Sequence, residues 1–80
     1  MYLYILRSQI KTDQIYVGVT NNLVRRISEH NDPTIKSWTN RYAPWEIEIS
    51  MNFKDNAKAR QFETYLKSHS GRAFLKKHLI

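Results

Sequence analysis

The spacing of hydrophobic and polar positions changes repeatedly along the chain, and each change marks an element. Residues 2–7 (YLYILR) are almost continuously apolar, as in a strand covered on both faces. The polar, turn-prone stretch SQIKTDQ follows, and IYVGVT (residues 15–20) then resumes a strand. Side chains alternate along a strand, so Ile15, Val17 and Val19 share one side while Tyr16, Gly18 and Thr20 share the other. The two runs predict an antiparallel hairpin with a long loop. TNN offers N-caps for a helix reaching about His30, with Leu23, Val24 and Ile27 as its apolar stripe. At about 100° per residue, Arg26 and His30 lie about 40° apart on the border of that stripe. Arg25, Ser28 and Glu29 face away.

Residues 31–44 read as a loop containing a short helical turn and punctuated by Pro33 and Pro44. WEIEISM (residues 45–51) alternates strictly, which predicts Trp45, Ile47, Ile49 and Met51 on one face of a third strand and Glu46, Glu48 and Ser50 on the other. Asp55 or Asn56 caps a second helix running to about Ser68, with Ala59, Phe62 and Leu66 as its stripe. Glu63 sits beside that stripe, between Arg60 and Lys67. Ser70 is expected to open a last helix with Phe74, Leu75 and Leu79 apolar. The order is β-β-α-β-α-α, without repeats or linkers.

Size narrows this picture to one domain spanning residues 1–80. An apolar content of 41% with 12% aromatics suffices for a small core, so disorder is not expected. There is no cysteine, so neither a disulfide nor a zinc-thiolate site props the fold up. Packing must suffice, alone or within an oligomer. The apolar opening MYLYIL is too short for a membrane span and has no basic segment ahead of it, so it does not read as a secretory signal. We expect a soluble, cytoplasmic protein with no membrane partner.

Charge adds a partner. The net charge is +6, and from Ala57 onward Lys58, Arg60, Lys67, Arg72, Lys76 and Lys77 face the single acid Glu63. Such a balance favours a polyanion, with nucleic acid ahead of an anionic membrane surface. Lys36, Trp38 and Arg41 offer a loop for gripping it, with Trp38 stacked on a base or simply covering the sheet edge.

YLYIL followed by YVGVTNNLVRRISEH resembles the GIY-YIG nuclease family. Tyr2-Leu3-Tyr4 stands at the first motif and Tyr16-Val17-Gly18 at the second, with Arg26, His30 and the later helical Glu63 in the family's order. The likeness runs over almost the whole chain and is closest to small stand-alone bacterial members and to the nuclease module of structure-selective endonucleases. It implies an α/β (α+β) fold with a three-stranded antiparallel sheet flanked by helices. It also implies a metal-dependent endonuclease that hydrolyses DNA phosphodiester bonds, plain or branched, with Mg²⁺ or Mn²⁺. Position by position, Tyr4 would be the general base or orient the attacking water, and Tyr16 would support it. Arg26 would hold the scissile phosphate, His30 would tune or deprotonate a tyrosine, and Glu63 would bind the metal. Two departures stand out: Tyr2 replaces the glycine of the first motif, and the asparagine some members carry beyond the metal glutamate is missing. Lys67, Ser70 and His78 are alternatives for its place.

Chemistry supports these roles unevenly. An arginine fork suits non-bridging phosphate oxygens, and one carboxylate suffices for Mg²⁺, which keeps several waters. A phenol, with a pKa of about 10, is a poor base unless Arg26, His30 or the metal lowers it. Gly18, Lys36, Arg41, Lys67 and Arg72 are the expected nucleic-acid contacts. Plainer readings compete: Tyr4 and Tyr16 as core aromatics, Arg26 paired with an acid on a neighbouring turn, His30 answering the helix dipole, and Glu63 in an ordinary i,i+4 pair with Lys67. Two other functions stand beside the nuclease: a nucleic-acid-binding module with little or no turnover, and a nuclease subunit needing a protein partner or a second copy.

Overall fold

The nearly unbroken apolar run at the start of the chain becomes the central strand. The computed structural model describes residues 1–80. In it β1 (Tyr2–Ser8) lies between β2 (Ile15–Thr20) and β3 (Trp45–Asn52), both antiparallel to it. Helix α1 (Leu23–Asn31) follows β2, and a 3-10 turn (Thr39–Tyr42) precedes β3. Helix α2 (Asn56–Lys67) is followed by α3 (His69–Phe74), which runs on as a π-helical stretch (Leu75–Leu79). The expected three-stranded sheet flanked by helices is observed. No helix is long and apolar enough to cross a membrane.

Being central, β1 buries both of its faces. Leu3 and Ile5 point to one side, where Val17 of β2, Leu66 of α2 and Leu75 complete a core. Tyr4 and Leu6 point to the other, packed with Trp45, Tyr16, Leu23, Ile27 and Tyr42. All four of these β1 residues are fully buried. The sheet thus separates an aliphatic layer under α2 from an aromatic layer under α1, and chemistry-bearing side chains collect in the second.

The third strand departs from the expected alternation. Ile5 pairs with Ile49 but Leu6 pairs with Ile47, so Glu48 is an extra residue opposite the Ile5–Leu6 step. Such a bulge exchanges the faces on either side of it. Trp45 and Ile47 therefore share the Leu6 side, while Ile49 and Met51 share the Ile5 and Leu3 side. One strand closes both layers, and the Glu48 carboxylate is free to meet Arg7 at 3.3 Å.

Caps set the helices. The Asn22 side chain accepts from Arg25 N, and Asp55 accepts from Ala57 N and Lys58 N. The last helix begins earlier than Ser70: Ser68 is its cap, accepting from Gly71 N at 3.1 Å. Gly71 has to be glycine, because a Cβ there would collide with the Tyr65 carbonyl as α3 folds back on the end of α2. In α1 the stripe is displaced from the expected one. Val24 is 80% exposed, whereas Leu23 and Ile27 pack inward and His30 is buried. Position 24 lies a full helical step beyond Leu23, on the side away from the sheet.

We predict that Leu66→Ala costs about 2–5 kcal/mol in urea denaturation, the range for emptying a closed core site. Val24→Ser should stay within about 0.5 kcal/mol of wild type, as surface changes do. A comparable loss for both would place Val24 back in the stripe.

Candidate active site

The site is built around a phenol that the sheet encloses. Tyr4 is opposite Gly18 across the β1–β2 ladder, and a Cβ at Gly18 would come within 2.6 Å of the Tyr4 hydroxyl and 2.9 Å of the Tyr16 ring. The glycine makes room for the two tyrosines. It is itself buried beneath them, so the expectation of Gly18 as a nucleic-acid contact is not met.

Helix α1 then delivers Arg26 and His30, one turn apart, onto the same phenol. Arg26 Nε donates to the Tyr4 hydroxyl at 3.3 Å, and His30 Nε2 lies 3.0 Å from it. We assign the phenol's own proton to the Nε2 contact, since the oxygen already accepts from the guanidinium. On that assignment His30 carries its proton on Nδ1, which donates to Thr39 Oγ1 at 3.0 Å. Thr39 donates to Ser37 Oγ at 3.0 Å, and Ser37 donates to Asn40 Oδ1 at 2.6 Å. The Asn40 amide ends the series on the carbonyls of His30 and Asp32, both at 2.8 Å. Every member donates onward, and no buried side-chain polar atom is left unpartnered.

This arrangement fixes charges as well as positions. Burial pushes the Tyr4 hydroxyl up to about 12, overriding the hydrogen bond and charge of Arg26, which pull it down. Burial also lowers His30 to about 4, helped by the Arg26 charge and opposed by Glu29. Burial works against the Arg26 charge, yet hydrogen bonds to Tyr4 and Glu29 leave it more basic than usual. At neutral pH the proton stays on Tyr4, the imidazole is neutral and the guanidinium is charged. The phenol therefore remains a poor base in this state, because desolvation of the phenolate outweighs the nearby cation.

Tyr16 is placed differently. It is only half-buried, its ring is 4.6 Å from His30 and 6.0 Å from Tyr4, and it borders an open cavity of about 470 Å³. Arg26, Glu29, His30, Trp38 and Thr39 also line this cavity. Glu29 does not face away as expected; its carboxylate holds Arg26 Nη1 at 3.2 Å. The competing reading of Arg26 as an ion-pair partner is therefore also realised, though its side chain remains 39% exposed.

Glu63 reaches this group from the opposite helical layer through Lys67. Lys67 Nζ is 3.2 Å from Glu63 Oε2 and 5.9 Å from the Tyr16 ring centroid, so it is Lys67 that lies beside Tyr16. Of the three alternatives for the missing asparagine, Lys67 is the one beside Glu63, while His78 packs on Phe74. No three His, Cys, Asp or Glu side chains converge on one point. The donor chemistry is that of a lone carboxylate paired with one ammonium, which is not a protein cage for a metal. Lys36 and Arg41 are exposed along a shallow cleft beside Asn40, and Arg72 is exposed beyond Lys67.

Thr39, Ser37, Asn40 and Glu29 were not singled out by the sequence. Loop residues have no periodicity to reveal them, and the one available signal was the cluster of hydroxyl and amide side chains from Ser37 to Asn40.

A family model for the GIY-YIG catalytic domain matches residues 1–77, and the chain belongs to that family. A UPF0213 protein of Clostridium perfringens is 33% identical over 66 residues, 82% of this chain and 69% of that protein. Structure-specific endonuclease subunit SLX1 of Podospora anserina is 33% identical over 66 residues, 76% of this chain. Its counterpart in Botryotinia fuckeliana is 37% identical over 65 residues, 75% of this chain. The chain spans only 19% and 15% of those two endonuclease subunits. No solved structure matches.

Unfolded, His30 takes up a proton near pH 6.5; folded, it does so only near pH 4. Between those values the unfolded chain binds more protons, so stability present above pH 6.5 is lost as the pH falls. We predict a loss on the order of 3 kcal/mol across this window, read by urea denaturation at each pH. His30→Gln should flatten the slope. We also predict that Thr39→Val leaves the buried Nδ1–H unpaired and costs about 1–3 kcal/mol. Nitrogen NMR should then show the His30 tautomer shifting, which Thr39→Ser restores; an unchanged tautomer in the valine variant would contradict the assigned direction of the hydrogen bonds.

Proposed function

We propose that this domain is an endonuclease that hydrolyses DNA phosphodiester bonds with Mg²⁺ or Mn²⁺. The observation that carries the reading is that Tyr16, Arg26 and His30 line one cavity, with Tyr4 enclosed behind them and hydrogen-bonded to both Arg26 and His30. DNA as substrate is supported by the net charge of +6 and by relatives named as structure-specific endonuclease subunits. Branched DNA is the form we favour.

In this reading the residues divide the work. Phosphoryl chemistry is largely positioning and charge stabilisation. Arg26, held by Tyr4 and Glu29, offers its guanidinium to the non-bridging oxygens. Tyr16 is the phenol that reaches the cavity, so it takes the role of orienting the attacking water. Tyr4, enclosed and protonated, acts as a positioning residue that sets His30 and Arg26 relative to each other. Glu63 would hold the divalent cation after Lys67 swings aside, and the chemistry supplied there is acidification of bound water and neutralisation of the leaving oxygen. Lys67 is then free for substrate phosphate.

A second reading has one specific support: the two fungal relatives are named as subunits, and each is several times longer than this chain. In that reading a protein partner supplies the placement on DNA while the domain supplies the cut.

We predict Mg²⁺-dependent cleavage of plain and flapped DNA that falls by about 100-fold or more in Arg26→Ala and Glu63→Ala, the scale for removing one transition-state contact. Tyr16→Phe should lower kcat with little change in melting temperature. Tyr4→Phe should lower kcat and also disturb the His30 tautomer. Metal-dependent cutting by the wild type that does not exceed these variants on any substrate would leave a binding module.

A further inference from the structure

We propose that a second cavity, on the far side of Tyr16 and Trp38 from Arg26, receives one unpaired base of the strand being cut. This deepens the nuclease reading and rests on it for the identity of the strand. The cavity measures about 250 Å³ and is walled by Tyr16, Trp38, Leu66 and Leu75, with Lys67 and Arg72 supplying cations. No acidic side chain lines it.

Three features select this occupant. The first is continuity: Tyr16 and Trp38 border both this cavity and the one holding Arg26 and His30, so an occupant here is a neighbour of a phosphate there. The second is Trp38 itself. It packs edge-on against Tyr42 at 5.3 Å and tilted against Trp45 at 6.4 Å, yet 48% of it is exposed. That leaves a large aromatic surface for stacking, which every base accepts. The third is charge: Arg72, beside a Lys67 that Glu63 holds at 3.2 Å, borders an otherwise apolar hollow, which suits a flat ring tethered to phosphates and disfavours an uncharged apolar peptide. A volume below that of drug-sized sites suits a single base. In duplex DNA both base faces are stacked, and extruding one costs a few kcal/mol. A nucleotide in a flap, gap or single strand enters without that cost. The domain should therefore favour linkages bordered by an unpaired nucleotide, with little preference for which base it is.

The test is binding by fluorescence anisotropy in EDTA, using the full chain with a labelled single-stranded oligonucleotide and a blunt hairpin duplex. Trp38→Ala should weaken single-strand binding about tenfold, as expected for loss of one stacked base. Trp38→Phe should recover most of it, and duplex binding should change less than twofold. Removing the base at one position of the oligonucleotide should match the loss in Trp38→Ala and add nothing to it. Arg72→Ala, at an exposed position that leaves the fold intact, should weaken single-strand binding and lower its salt slope by about 1. Equal losses on both DNAs, or indifference to abasic sites at every position, would overturn the pocket. Because no cutting is involved, a protein that cleaves without this preference refutes the pocket alone. One that shows the preference but never cleaves refutes the nuclease reading alone.

Discussion

The structure depends on one hydroxyl. The Tyr4 phenol receives a hydrogen bond from Arg26 and returns one to His30, joining the centre of the sheet to α1 across 22 and 26 residues of chain. Burial makes this strict, because a polar group shut away from water loses more when unpaired than it gains when paired. The same burial keeps the phenol protonated and the imidazole neutral, leaving the guanidinium as the one charge in the trio. Packing and electrostatics are therefore set by the same three side chains. The phenol that borders the cavity is Tyr16, which lines it without being enclosed.

Support for that trio comes from both flanks. The bulge at Glu48 lets Trp45 close the aromatic layer while Ile49 and Met51 close the aliphatic one. Trp45 is in turn fixed at both ends of its reach: its indole donates to Thr39 O at 2.7 Å, and its backbone exchanges two hydrogen bonds with the Asn31 side chain. Asn31 thus acts as a single residue of strand at the end of α1. The loop that lines the cavity is tied to a helix and a strand, which is why its Thr39 can hold an imidazole in place.

Much of this was legible in the chain. A run apolar at every position had to be the central strand, and a helix period of 3.6 had to bring Arg26 and His30 to one border. What period alone does not give is which border of a stripe faces the sheet, so Val24 was read as buried and Glu29 as remote. A bulge leaves no mark in an alternating pattern, because WEIEISM reads the same with or without it. The sign of the Tyr4 shift also lay beyond the sequence: neighbours of opposite charge were visible, but the completeness of burial that outweighs them was not. Glu63 was singled out by the family's order of residues and as the lone acid of a basic stretch; its pairing with Lys67 is what an ordinary helix would show.

Tyr16 and Trp38 each serve as a wall between two hollows. Where two ligands change each other's affinity through shared side chains, the linkage is reciprocal: whatever factor the first contributes to the second's affinity, the second returns. With the proposed base in one hollow and phosphate in the other, discrimination would reside in a cooperativity term between adjacent compartments, so that a strand occupying both is distinguished from one that occupies either alone.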